Sequence, residues 1–331
     1  MTGTPVRIPV YQKRLSIFNC LDYLICLHIH NSGYPYQYTF SGNWGFYYYS
    51  PHEFLHHRKE AAKPPFYTSL CEIYHMKNTQ ADYTNLIDYM DEGGQLFTHS
   101  DGWYLPWTIN YHRAHDGHYF YIQQYNQERT HALVIDWIPE IMEWVPIEAV
   151  NDGYIAGGAQ AFRLTAPKLN MDMQNVLNLL TACQTHIAGW TDRSVATGIA
   201  GLQAFRKDML ALREEGVSYV EQWWDLLKIQ TDVRDRFLEF IYFLDCSEQS
   251  PLYHTANNAL IEVFEECFNK WLAFRNGLMK TVITGTYDWK RAIERLDKII
   301  LYEERCEVAL RLYIEGMLAK LEHKFLSHGQ S

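Results

Sequence analysis

From about residue 170 onward the chain has few glycines and a single proline, Pro251, and its apolar residues recur at helical spacing. A stretch of that kind folds as helices whose apolar stripes pack on one another. Candidate helices cover roughly 171–189, 192–213, 217–228, 231–246, 253–280 and 288–326. The last carries Leu296, Ile299, Ile300, Leu310, Leu312, Leu318 and Leu321 on its apolar side, a stripe for core packing or for a homodimer or other partner. Before residue 150 the text is different: short, aromatic and punctuated by glycine. Asn151-Asp152-Gly153 and Gly157-Gly158 read as the last strong turn signals. The predicted class is α+β, with a mixed domain over 1–160 and an all-α domain over 161–331.

Within the first half, Phe18 to Ile25 reads as the start of a buried helix. Asn19 can cap it through its side-chain oxygen, which places Cys20 in the first turn. The helix dipole there favours thiolate, the nucleophilic form. Residues 36–49 are aromatic and short of charge, and read as a strand or loop, or as a pocket wall near Cys20. Residues 80–94 read as a helix ending at Gly93-Gly94. Gln95 to Asp101 reads as a strand with a polar end, followed by the aromatic loop Trp103-Tyr104-Leu105-Pro106-Trp107.

Residues 118–125 and 130–137 flank the turn Asn126-Gln127-Glu128-Arg129 and form a hairpin. If Tyr125 pairs with Thr130, His118 lies opposite Trp137; a slip of one residue sets it opposite Asp136. Either way the two meet at the open end of the hairpin, with Cβ atoms about 5–8 Å apart. Whether both side chains share a face depends on the register.

The net charge of −10 and the lack of a basic block argue against a nucleic acid partner. No apolar run approaches the roughly 18 residues of a membrane span, and no signal peptide is visible. Seven cysteines at 20, 26, 71, 183, 246, 267 and 306, without a Cys-x-x-Cys pair, form neither a disulfide framework nor a zinc ribbon. A reducing cytoplasm is the expected location. Adjacent His56-His57, the pair His28 and His30, and the trio His112, His115 and His118 are poor metal sets. No metal or cofactor is expected.

Cysteine at a helix start, then histidine opening a strand, then aspartate ending the next is the chain order used by papain-like enzymes. The histidine takes the thiol proton and later returns it, and the carboxylate fixes the imidazole tautomer. The backbone amide of Cys20 and the Asn19 side chain are candidate oxyanion donors.

Asn19-Cys20-Leu21, Trp44-Gly45-Phe46, Asp101 with Tyr104-Leu105-Pro106-Trp107, His118-Tyr119-Phe120 and Ile135-Asp136 together resemble the butirosin biosynthesis protein H family, over about residues 15–140. The resemblance implies a papain-like cysteine acyltransferase of antibiotic or nonribosomal peptide pathways. By it, Cys20 is the nucleophile, His118 the base and Asp136 the orienting acid. Asn19, Trp44, Asp101, Tyr104 and Trp107 line the oxyanion and substrate pocket. The implied partners are an acyl or peptidyl carrier protein, as thioester donor, and a small amine acceptor. Related bacteriocin-processing peptidases carry a glutamine about six residues before the cysteine; here Arg14 stands there. A thioesterase or amidase using the same triad, and a non-catalytic ligand-binding protein, are the alternative readings.

Overall fold

A computed structural model of the chain describes residues 8–11, 18–42, 44–50, 53–54, 70–80, 86, 95–191, 195–212, 217–253 and 258–328. The fold is mixed α+β with a helical C-terminal region. The chain divides into two units. The first contains residues 1–9, 18–36 and 70–169, and the second 10–17, 37–69 and 170–331. The division thus falls at Leu169/Asn170 rather than at 160, and residues 37–69 group with the helices. Among the described residues, no helix is long and apolar enough to cross a membrane.

The first unit is built on a six-stranded antiparallel sheet in the order β3-β8-β4-β5-β6-β7. Its strands are β3 (Asn78–Gln80), β4 (Leu96–Asp101), β5 (Gly117–Tyr125), β6 (His131–Trp137), β7 (Glu140–Pro146) and β8 (Gln160–Leu164). Side chains alternate between its faces. Helix α1 (Cys20–Asn31) lies against β5 and β6. Tyr23 stacks on Trp137 at 4.0 Å, and His28 meets Phe97 edge-on. The other face carries Leu96, Phe120, Ile122, Ala132 and Val134, packed with Ile147, Val150 and Tyr154 of α2 (Ile147–Ala156). Two glycines let α2 approach closely: a Cβ on Gly157 would lie 2.7 Å from Ser100 Cα, and one on Gly153 3.0 Å from Leu105.

Several expectations are corrected. Asn151-Asp152-Gly153 lies inside α2, because Gly153 serves close helix–strand packing rather than a turn. β7, α2 and β8 had no reading of their own in the sequence. The helix expected over 80–94 lies outside the described residues apart from Gln80, in β3, and Leu86. His56-His57 and Asn43 also lie outside them.

Neither hairpin register predicted from the sequence occurs. Near the turn Tyr125 pairs with Ala132 and Gln124 with Leu133; beyond a bulge at Gln123, Ile122 pairs with Val134 and Tyr121 with Ile135. Without the bulge, Asp136 would share a face with Tyr121, and His118 would point to the opposite one. The extra residue changes the parity, and the continued register sets Phe120 across from Asp136 with His118 diagonal to it.

The second unit contains a small sheet, in the order β2-β1-β9, of β1 (Tyr47–Ser50), β2 (Glu53–Phe54) and β9 (Ala196–Thr197). Its helices are α3 (Met173–Ala188), α4 (Gly198–Ala211), α5 (Val217–Cys246), α6 (Asn258–Thr284) and α7 (Trp289–His328). The two helices expected over 217–228 and 231–246 are one. Along α7 the buried positions Leu296, Ile299, Glu303, Cys306, Leu310 and Met317 follow a near-heptad stripe. Leu312 is 57% exposed and Leu318 37%, so these two leave the expected core stripe.

A carboxylate therefore occupies a core position of α7. Arg234 donates to Glu303 Oε1 from Nε (3.0 Å) and Nη2 (2.9 Å), and the Trp271 indole donates to the same oxygen at 2.7 Å. Trp44 donates to Oε2 at 2.6 Å. The guanidinium carbon lies 4.0 Å from the Trp271 ring centroid. A buried pair is held only when its remaining donors and acceptors are satisfied, as they are here. Glu303→Gln would leave the buried guanidinium without its counter-charge and should cost about 3–5 kcal/mol in denaturant unfolding; a loss below about 1 kcal/mol would contradict this account.

Candidate active site

Three of the four first-turn amides of helix α1 have partners. Asn19 Oδ1 accepts from the Asp22 amide at 2.8 Å, as its N-cap role predicts, and Asn19 O accepts from the Tyr23 amide. The Leu21 amide turns to the Cys20 sulfur. The Cys20 amide has no partner among the described residues and remains open as a donor.

Cys20 is partly exposed. Besides the Leu21 amide, the backbone amide of Tyr119, the neighbour of His118 on β5, lies near enough to the sulfur to favour its thiolate. Burial pushes the thiol above its ordinary value, the Asp136 and Asp22 carboxylates push the same way, and the two amides oppose them. The helix start was expected to favour thiolate. Burial outweighs it, because desolvation penalises the charged form. The resting sulfur is therefore a thiol and needs a base.

His118 opens β5, with its side chain 16% exposed, and its Nε2 lies 2.5 Å from Asp136 Oδ2. The Asp136 side chain is fully buried. Its Oδ2 also accepts from the Trp107 indole at 2.8 Å. Its Oδ1 accepts from the amides of Trp137 (2.6 Å), the last residue of β6, and Ile138 (3.2 Å), in the turn that follows. Both oxygens face donors, so the site requires a carboxylate, and a carboxamide would turn an NH2 group against N–H groups. Since Asp136 only accepts, the imidazole proton sits on Nε2 and Nδ1 is the basic nitrogen.

The structure thus brings His118 and Asp136 into direct contact and sets Cys20 against the amide of the next β5 residue. Asp101 has a different task. Its carboxylate caps the 3-10 turn Gly102–Tyr104 through the Trp103 amide (3.0 Å) and binds His115 Nδ1 at 2.6 Å. Burial alone would raise its pKa; the His115 and Trp103 bonds outweigh that and hold it below the ordinary carboxylate value. The Trp103 ring stacks on His115 at 4.9 Å. Asp101 therefore organises the 102–116 loop. Tyr104 sits half-buried in that loop.

Trp44, expected in the pocket, is 1% exposed, and its indole is taken up by Glu303 in the interior of the second unit. Gly45 and Phe46 are buried in the same unit. The aromatic text at 36–49 therefore supplies core rather than a pocket wall. Three of the histidines weighed as ligands have separate partners: His28 bonds Gln95 (3.0 Å), His115 bonds Asp101 and His118 bonds Asp136. Among the described residues no group of three or more His, Cys, Asp or Glu side chains could hold a metal ion.

The Tyr119 amide and the Trp107 bond had no signal in the sequence, because both depend on register and loop path. Two outcomes test the geometry. Asp136→Asn should cost about 1.5–3 kcal/mol, the worth of a buried bond to a charged group, read by denaturant unfolding. In His118→Ala, alkylation of Cys20 by iodoacetamide should slow at neutral pH. It should recover only as pH rises past the ordinary thiol value of 9.0, because the folded thiol lies above it. An unchanged profile would remove His118 as the base. Compared with known proteins, the chain matches no family model and no curated protein.

Proposed function

We propose that the protein is a cysteine-dependent acyltransferase of papain-like arrangement that moves an acyl or aminoacyl group from a carrier thioester to an amine. One observation carries the reading: a histidine–carboxylate pair at 2.5 Å on a strand whose next amide lies near enough to the sulfur of a helix-start cysteine to favour its thiolate. The donor and acceptor classes come from the resemblance to the butirosin biosynthesis protein H family. The catalytic domain of this proposal is the first unit.

His118 Nδ1 takes the Sγ proton as the sulfur attacks the thioester carbonyl. The tetrahedral oxyanion meets the open Cys20 amide and the Asn19 NH2, whose oxygen is held by the cap. The imidazolium returns the proton to the departing carrier thiol, leaving an acyl-Cys20 thioester. An amine then attacks, Nδ1 takes its proton, and the amide leaves as Cys20 is reprotonated. Asp136 keeps the imidazole in the needed tautomer throughout.

A raised thiol suits this sequence. The proton moves during attack, so the nucleophile is exposed as thiolate only when a carbonyl is in place.

With a carrier-bound acyl thioester, the wild-type protein should gain one acyl mass on Cys20, and Cys20→Ala should gain none. Added amine should speed turnover and give an amide. A free acid as the sole product, at a rate indifferent to amine, would make the enzyme a hydrolase. Turnover by Cys20→Ala at the wild-type rate would end the reading.

A further inference from the structure

Trp107 stands in an aromatic loop where a ring is ordinarily read as a pocket wall. Its hydrogen bond argues otherwise. The indole N–H reaches the Asp136 oxygen that also faces the imidazole, at 2.8 Å against 2.5 Å. A carboxylate oxygen has two lone-pair directions, and here indole and imidazole take one each. The other oxygen is held by two backbone amides. No lobe is left for the carboxylate to rotate into, and with the side chain fully buried no water can replace a lost donor.

The ring is fixed from several sides. It meets Phe120 edge-on, with centroids 5.3 Å apart and planes at 88°. The next residue, Thr108, bonds the carbonyls of Gly102 (2.9 Å) and Leu105 (3.1 Å), and Leu105 is buried in the core. The Asp101–His115 bond closes the base of the same loop.

We infer that Trp107 is a positioning residue of the proposed reaction: its indole N–H shares Asp136 Oδ2 with His118 and so fixes the direction of the imidazole and the charge it receives. The inference rests on the acyl-transfer reading. Each donor on Oδ2 takes part of the carboxylate's negative charge. Removing the indole donor gives the imidazole more of that charge, favours its protonated form and frees the carboxylate to turn. Because the Cys20 sulfur rests as a thiol, the proton lost on the acid limb of its reactivity comes from the imidazole. That limb should move to higher pH.

The test is iodoacetamide alkylation of Cys20 in the full chain across pH, for wild type, His118→Ala and Trp107→Phe. Trp107→Phe keeps a ring against Phe120 and should lower the neutral-pH rate about tenfold, as for one lost bond to a charged group, and shift the acid limb upward. An unchanged rate, or a slower rate with an unmoved limb, overturns the positioning role. If His118→Ala leaves alkylation unaltered, the proposed reaction itself falls. If His118→Ala slows it and Trp107→Phe does not, only the positioning role falls. Should Trp107→Phe fail to fold, the wild type supplies the readout by NMR of the Trp107 indole N–H. Its resonance should follow the same pH transition as the alkylation rate, and a resonance indifferent to that transition overturns the inference.

Discussion

Asp136 is the interaction on which the site depends. A fully buried carboxylate is costly unless its oxygens are met by donors, and this one is met by an imidazole, an indole and two backbone amides. The four donors come from three pieces of local structure: the start of β5, the 102–116 loop, and the end of β6 with the turn that follows it. Satisfying one buried charge therefore holds three segments in register, and the basic nitrogen of His118 is a by-product of that satisfaction. The proposed chemistry uses a geometry that the unit needs anyway.

Cys20 is tuned in the opposite sense. Two amides favour its thiolate, yet burial and two carboxylates keep it protonated. A free thiolate would react with any electrophile; in the proposed reaction the thiol reacts only when a substrate carbonyl completes the set. The second unit shows a related theme. Glu303, in a heptad position of α7, is satisfied by Arg234, Trp44 and Trp271. Each unit thus holds a buried carboxylate that accepts from indole, Asp136 from Trp107 and Glu303 from Trp44 and Trp271.

Much of the first unit was legible. Asn19 caps α1, strand β4 ends at Asp101, and the hairpin flanks Asn126–Arg129, because caps, alternation and turn residues are local signals. Trp44 was misread for a physical reason. An aromatic residue between glycines looks the same whether its partner is a ligand or Glu303, which lies far along the chain. Gly153 was misread as a turn because close packing and turn formation both select glycine.

The sequence by itself determined the residue types at the site, their order along the chain, and the switch from strands to helices. It also determined that His118 and Asp136 meet at the open end of a hairpin, since a short turn allows nothing else. Only the tertiary structure decided that they share a face. That outcome turns on one extra residue, Gln123, whose bulge reverses the alternation of β5. Local periodicity carries no trace of such a bulge, which arises because Phe120, Ile122 and Tyr125 must all reach the same core.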